Sequence, residues 1–110
     1  MRNDLEKFQD IQEAIIKIDK YSIQGKEEFF SNELIQSWIL MQLQIIGEAA
    51  RSMSKETHQK YSQIPWQDII DFRNLLVHEY FRVDLKLVWS IVEKELPDFK
   101  EQISLCINHE

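Results

Sequence analysis

The stretch from Glu33 to Met53 limits the possible folds more than any other part of the chain. Leu34, Ile35, Trp38, Ile39, Leu40, Met41, Leu43, Ile45, Ile46, Ala49 and Ala50 all fall within it. Their spacing is helical, and Asn32 is placed to cap the N-terminus. At about 100° per residue these side chains cover most of the helix circumference. A helix that apolar needs covering on more than one side. It is either the central helix of a bundle or a helix shared with a second copy, and a homodimer interface is the natural second partner. Gly47 costs about 1 kcal/mol of helix propensity, but its missing side chain lets another helix come close.

Helical spacing continues through nearly all of the remaining sequence. Leu5, Phe8, Ile11, Ile15 and Ile18 mark one face of a helix from about Asp4 to Lys20, and Lys26–Phe30 gives one or two further turns. Ser54 to Ser62 is polar and predicts a short exposed helix. Pro65 suits a first helical position. Val83-Asp84 reads as an N-cap with a staple to Val88. Leu85, Val88, Trp89, Val92 and Leu96 then point inward, Pro97 breaks or restarts the helix, and Phe99, Ile103 and Cys106 or Ile107 continue it. The expectation is one all-α domain spanning residues 1–110, an up-and-down bundle of four to five main helices that dimerises.

Composition excludes several classes. Two glycines and two prolines are too few for an all-β fold or a low-complexity linker. The single cysteine, Cys106, forms neither an internal disulfide nor a cysteine-based zinc site. His58, His78 and His109 are scattered without metal-ligand spacing, so neither metal nor other cofactor is expected. The segment Met1–Lys7 lacks the apolar stretch of a leader. No apolar run reaches the ~18 residues of a membrane span, so a cytoplasmic protein without membrane contact is expected. A net charge of −6 argues against broad nucleic-acid binding. Any such contact must be compact or assembled from more than one subunit.

Arg73-Asn74-Leu75-Leu76-Val77-His78-Glu79-Tyr80 concentrates polar chemistry in an apolar segment. A fixed positive charge, an imidazole and a phenol are the groups needed to handle a phosphate ester. On a helical wheel Tyr80 lies about 20° from Arg73, Asn74 and His78 form an i, i+4 pair, and Arg73 and His78 stand about 140° apart. One ideal helix cannot aim all four groups at a point. Convergence requires unwinding near His78, an arginine that curls round the helix, or a second subunit. Ile69, Phe72 and Leu76 flank Arg73 on one side, and Ile70, Val77 and Phe81 on the other. A guanidinium between two apolar stripes must pair with an acid such as Glu48 or Asp71, or meet an anionic ligand.

The ordered set Ile46-Gly47-Glu48-Ala49-Ala50, Ile64-Pro65-Trp66, Arg73-Asn74 with His78-x-Tyr80, and Val83-Asp84 with Val88-Trp89 resembles the HepT-like family of the HEPN superfamily. The resemblance runs over nearly the whole chain. It implies a dimeric helical bundle that acts as a metal-independent ribonuclease, the toxin of a toxin–antitoxin pair. It also implies an antitoxin partner, a minimal nucleotidyltransferase of MNT type that transfers AMP to the toxin. Arg73 and His78 match the family's catalytic pair, Asn74 the polar residue beside the arginine, and Tyr80 the AMP-accepting tyrosine. Glu79 departs from the glycine often found between histidine and tyrosine. Glutamate favours continuing helix where glycine would ease unwinding, and its carboxylate repels phosphate unless it points away.

On this reading His78 moves protons in RNA transesterification and Arg73 holds the scissile phosphate. Asn74 orients His78 or donates to the phosphate. The competing class is a non-catalytic helical dimer that binds a nucleotide, RNA or partner protein through the same residues. A purely structural dimer, with Arg73 and His78 paired to acids, is the third.

Overall fold

Asn32 ends one helix and starts the next. Its backbone is extended, and its Oδ1 accepts from the N–H groups of Leu34 at 3.0 Å and Ile35 at 3.3 Å. The structure, a computed structural model, describes residues 3–110; Met1 and Arg2, part of the segment read above for a leader, lie outside them. The elements are α1 (Asp4–Ser22), α2 (Lys26–Ser31), α3 (Glu33–Ser52), α4 (Lys55–Lys60) and α5 (Trp66–His78). A 3-10 turn (Tyr80–Arg82), α6 (Leu85–Ser90), a π-helical turn (Ile91–Glu95) and α7 (Leu96–His109) follow. Among the described residues there is no strand. The expected all-α bundle is observed: α1, α3, α5 and the α6–α7 rod are its main helices, with α2 and α4 short.

α3 packs between α1 and α5, and α7 packs on α1. Phe8, Ile11, Ile15 and Ile18 of α1 meet Ile39 of α3, Val88 of α6 and Ile103 of α7 in a fully buried core. Trp38 fixes α3 to α1 by donating its indole N–H to the Lys17 carbonyl at 2.9 Å. α3 is therefore the bundle's central helix, one of the two roles its composition allows. It still leaves Leu34, Met41 and Ile45 exposed along an outer strip.

Two connections show how local chemistry sets the chain path. α4 buries no residue and is held by its cap, where Ser54 Oγ accepts from Thr57 N–H at 3.2 Å. The carboxylate of Asp4 accepts from Ser54 Oγ at 2.7 Å and from the Thr57 hydroxyl, tying the start of α1 to that cap. Tyr61, in the stretch expected to be exposed, is instead buried edge-on against Phe8 at 5.6 Å. Pro97 lies in the first turn of α7. A proline inside a helix lacks an N–H and crowds the carbonyl one turn back. Here the π turn at Ile91–Glu95 accommodates it without breaking the rod. Pro65 is one residue earlier than expected, as the cap of α5 rather than its first residue. Among the described residues no helix is long and apolar enough to cross a membrane.

Candidate functional site

The α3–α5 contact is set by a residue without a side chain. A Cβ built on Gly47 would stand 2.2 Å from Arg73 Cβ and 2.8 Å from its Cγ. Non-bonded carbons meet at about 3.5–4.0 Å, so only glycine lets α5 approach this closely. The stem of Arg73 thus runs over the backbone of α3, and its side chain is only 14% exposed.

From there the guanidinium turns round α5. Arg73 Nη1 donates to Asn74 Oδ1 at 3.0 Å, and Nη2 lies 3.7 Å from Glu48 Oε1. Arg73 Nε is buried with no acceptor. Of the two acids considered from sequence, Glu48 is the neighbour, while Asp71 accepts from Gln67. Gln44 donates to Glu48 at 3.1 Å and steadies that carboxylate. At 3.7 Å the Arg73–Glu48 pair is longer than a direct hydrogen bond. The cation is only partly neutralised.

α5 stays helical through His78, so the wheel separation of Arg73 and His78 persists. His78 is exposed at the helix end, and among the described residues no hydrogen bond joins it to Arg73 or Asn74. The curl of Arg73 towards Asn74 narrows the gap, since Asn74 shares the His78 stripe. The helix does unwind, but one residue too late to redirect His78. Glu79 has φ −139° and ψ 44°, and the 3-10 turn begins at Tyr80. The expectation that Glu79 prolongs the helix is therefore corrected. The φ of Glu79 is negative, so the break does not ask for the left-handed conformation that favours glycine. Its carboxylate takes the Arg82 guanidinium at 2.8 Å and is neutralised there.

The same break moves Tyr80 off the Arg73 stripe. It is 51% exposed and lines a groove of about 340 Å³ with Met41, Gln44 and Ile45 of α3 and Leu76 of α5. The two stripes beside Arg73 have different fates. Leu76 is buried and Ile69 and Phe72 pack on the core, whereas Val77 is 39% and Phe81 100% exposed. Sequence reasoning missed Gln44 and Met41 as neighbours of Tyr80. The helical offset of Gln44 from Glu48 was the available signal, but the partner helix was not. Among the described residues no group of three or more His, Cys, Asp or Glu side chains is placed to hold a metal ion.

This architecture is the HEPN bundle. It superposes on the HEPN toxin of Shewanella oneidensis, solved as a tri-AMPylated protein in complex with an MNT antitoxin, with a TM-score of 0.70, 20% identity and complete coverage of both chains. The family profile described as "Ribonuclease HepT-like" matches residues 11–105. The chain belongs to the ribonuclease HepT-like family. A Methanocaldococcus jannaschii protein named "Gamma-glutamylcyclotransferase and putative RNase" is 36% identical over 105 residues. That alignment takes in 94% of this chain but 47% of the relative, so the chain spans about half the relative's length. An RNase of that same provisional naming from Caldanaerobacter subterraneus subsp. tengcongensis is 31% identical over 100 residues, covering 91% of this chain and 89% of the relative.

Proposed function

We propose that this chain is a metal-independent RNA endonuclease, the cytoplasmic toxin of a toxin–antitoxin pair, and that it acts as a homodimer. The observation that carries this reading is the partly neutralised guanidinium of Arg73. It is 14% exposed, hydrogen-bonds a neutral amide, stands 3.7 Å from its nearest acid and leaves Nε without an acceptor. A charge held that way binds an incoming anion strongly. A phosphodiester supplies such an anion, and the exposed imidazole of His78 stands at the end of the same helix.

The reaction follows from those groups. His78 takes the proton of a ribose 2′-hydroxyl, and the 2′-oxygen attacks the adjacent phosphorus as the P–O5′ bond breaks. The departing 5′-oxygen receives a proton from an imidazolium, that of the same or the second subunit's His78. One proton is removed and one returned, leaving a 2′,3′-cyclic phosphate and a 5′-hydroxyl. Arg73 stabilises charge on the non-bridging oxygens, and the Asn74 amide, whose Oδ1 is occupied by Arg73, donates through its nitrogen.

The open apolar strip supports the dimer. Met41 and Ile45 on α3 share a groove with Tyr80, and Leu34, Val77 and Phe81 are also exposed on the same two segments. Burying that strip against a second copy brings two Arg73–His78 sets towards one another and offsets the separation within one helix. Tyr80 lines a groove with Gln44, the residue that donates to the Glu48 carboxylate next to Arg73. Attack of the Tyr80 oxygen on the α-phosphorus of ATP, with loss of pyrophosphate and the phenolic proton, attaches AMP. An MNT-type nucleotidyltransferase is the proposed catalyst and antitoxin, a reading supported by the Shewanella complex. The adduct adds bulk and negative charge where RNA phosphate must enter.

Cleavage assays on Arg73→Ala and His78→Ala test the assignment. Both lose turnover while remaining folded dimers; a folded His78→Ala dimer that still cleaves RNA rejects it. Mass spectrometry after incubation with the nucleotidyltransferase and ATP finds AMP on Tyr80 and none on Tyr80→Phe. An adduct on another residue removes Tyr80 from the account.

A further inference from the structure

The chain carries a net charge of −6, yet one cleft on it is cationic. Between α2 and α6, Lys26, Lys86 and Lys94 line a cleft of about 450 Å³ together with Phe30, Trp89 and Glu93. Three lysines against one carboxylate leave a positive surplus on an otherwise acidic molecule. Four lysines elsewhere on the chain are committed to acids. Lys7 pairs with Asp4, Lys17 with Glu13, Lys60 with Glu110 and Lys100 with Asp19. Among the described residues none of the three cleft lysines has an ion-pair partner.

The wall of the cleft is aromatic, and its tryptophan carries an unpaired donor. Trp89 is 8% exposed, stacks in tilted fashion on Phe29 at 5.2 Å, and has a buried indole N–H with no acceptor. A buried donor left unpaired is costly, so an acceptor oxygen that reaches it is stabilised. Phe30 braces its ring edge-on against Phe29 and keeps part of it exposed at the rim. Unpaired lysines tracking a backbone, with an aromatic face for a base, are the two components of single-strand recognition.

We propose that this cleft binds single-stranded RNA flanking the cleaved bond, its phosphates on Lys26, Lys86 and Lys94 and a base against Phe30. The proposal rests on the ribonuclease reading of the Arg73–His78 site and gives that site a means of holding a polyanion. α6 follows the 3-10 turn after only Val83 and Asp84 and is itself about 9 Å long. The cleft therefore lies within a few nucleotides of the chain segment that carries His78 and Tyr80. An acidic protein surface would satisfy the lysines but has no use for the aromatic rim.

The test is equilibrium binding of a fluorescein-labelled oligouridylate to the full chain carrying His78→Ala, so that the RNA stays intact, at several salt concentrations. Each phosphate contact contributes about 0.7 to the slope of log affinity against log salt for a single strand. Replacing Lys26, Lys86 and Lys94 with Ala is expected to lower that slope by about 2 and to weaken binding tenfold or more at low salt. Replacing Lys17 and Lys55 with Ala leaves the slope in place. Unchanged affinity and slope in the triple variant overturn the proposal, as does an equal loss in the control variant. Displacement of the RNA by polyglutamate as readily as by unlabelled RNA also overturns it and assigns the cleft to an acidic protein. Cleavage is scored separately with His78 intact. RNA that binds through the three lysines but is never cut defeats the ribonuclease reading and leaves the cleft standing. RNA that is cut without regard to them does the reverse.

Discussion

Gly47 and Arg73 are in contact across the α3–α5 interface, where a Cβ on Gly47 would come within 2.2 Å of Arg73 Cβ. The position of the arginine is thus set by the absence of a side chain on the neighbouring helix. The atoms that would clash lie at the root of Arg73, so rotation of its flexible end gives no relief. Either the helices separate or the arginine is displaced.

Gly47→Ala should therefore destabilise the protein even though alanine is the better helix former. Overpacking costs about 1–3 kcal/mol, against a propensity gain of about 1 kcal/mol. A net loss of up to about 2 kcal/mol corresponds to a fall in Tm of up to roughly 10 °C. Cleavage should fall further than stability explains, because Arg73 moves. A calorimetric Tm at or above the parent value would show that α3 and α5 do not approach this closely.

Asp4 gives the fold an acid-sensitive joint. Burial alone raises its pKa, but hydrogen bonds from Thr57 and Ser54 and the charge of Lys7 outweigh burial and hold it below the ordinary value. A lowered folded-state pKa gives stability that is complete above the unfolded value of about 3.9 and is lost as pH falls through the folded one. Asp4→Asn should cost about 1–2 kcal/mol at neutral pH. The gap from the parent should close on acidification past the ordinary aspartate value. Denaturant titrations at several pH values measure that gap, and a gap independent of pH contradicts the network.

Cys106 should be chemically silent in the native state. It is 2% exposed, and burial, reinforced by the charge of Glu110, pushes its thiol up to about 11. The thiolate is the reactive form. Ellman's reagent at pH 8 should label the folded protein only as fast as it unfolds, and label it at once in guanidinium. Rapid native labelling would place α7 elsewhere.

The exposed strip predicts the effect of charges on assembly. Met41→Asp and Phe81→Asp each place a carboxylate where the proposed partner lies, and neither side chain is needed in the core of one chain. Sedimentation should find the double variant monomeric, with cleavage reduced at least tenfold. A dimer that persists would move the interface to another face.

Much of the fold was legible because its signals are local. Asn32 and Asp84 cap helices where their side chains reach backbone donors, and the spacing of Phe8, Ile11, Ile15 and Ile18 defines a buried face without reference to anything distant. At the candidate site the divergence of Arg73 from His78 was legible, because helical geometry alone dictates it. Glu79 was not legible. Its intrinsic preference is helical, but Arg82 and Val83 donate back to Glu79 and Tyr80 in a tight turn, and Asp84 must begin a new helix. Tertiary demand overrides propensity there. The lysine cleft was equally hidden, because Lys26 meets Lys86 and Lys94 only after α2 packs on α6.

The central claim is that Arg73 and His78 cleave RNA without a metal, through attack by the 2′-hydroxyl. End-group analysis of RNA cut in the presence of EDTA tests it most directly. The account predicts a 2′,3′-cyclic phosphate on one fragment and a 5′-hydroxyl on the other, both absent with His78→Ala. Cleavage abolished by EDTA and restored by a divalent cation, or fragments bearing a 5′-phosphate, would contradict it.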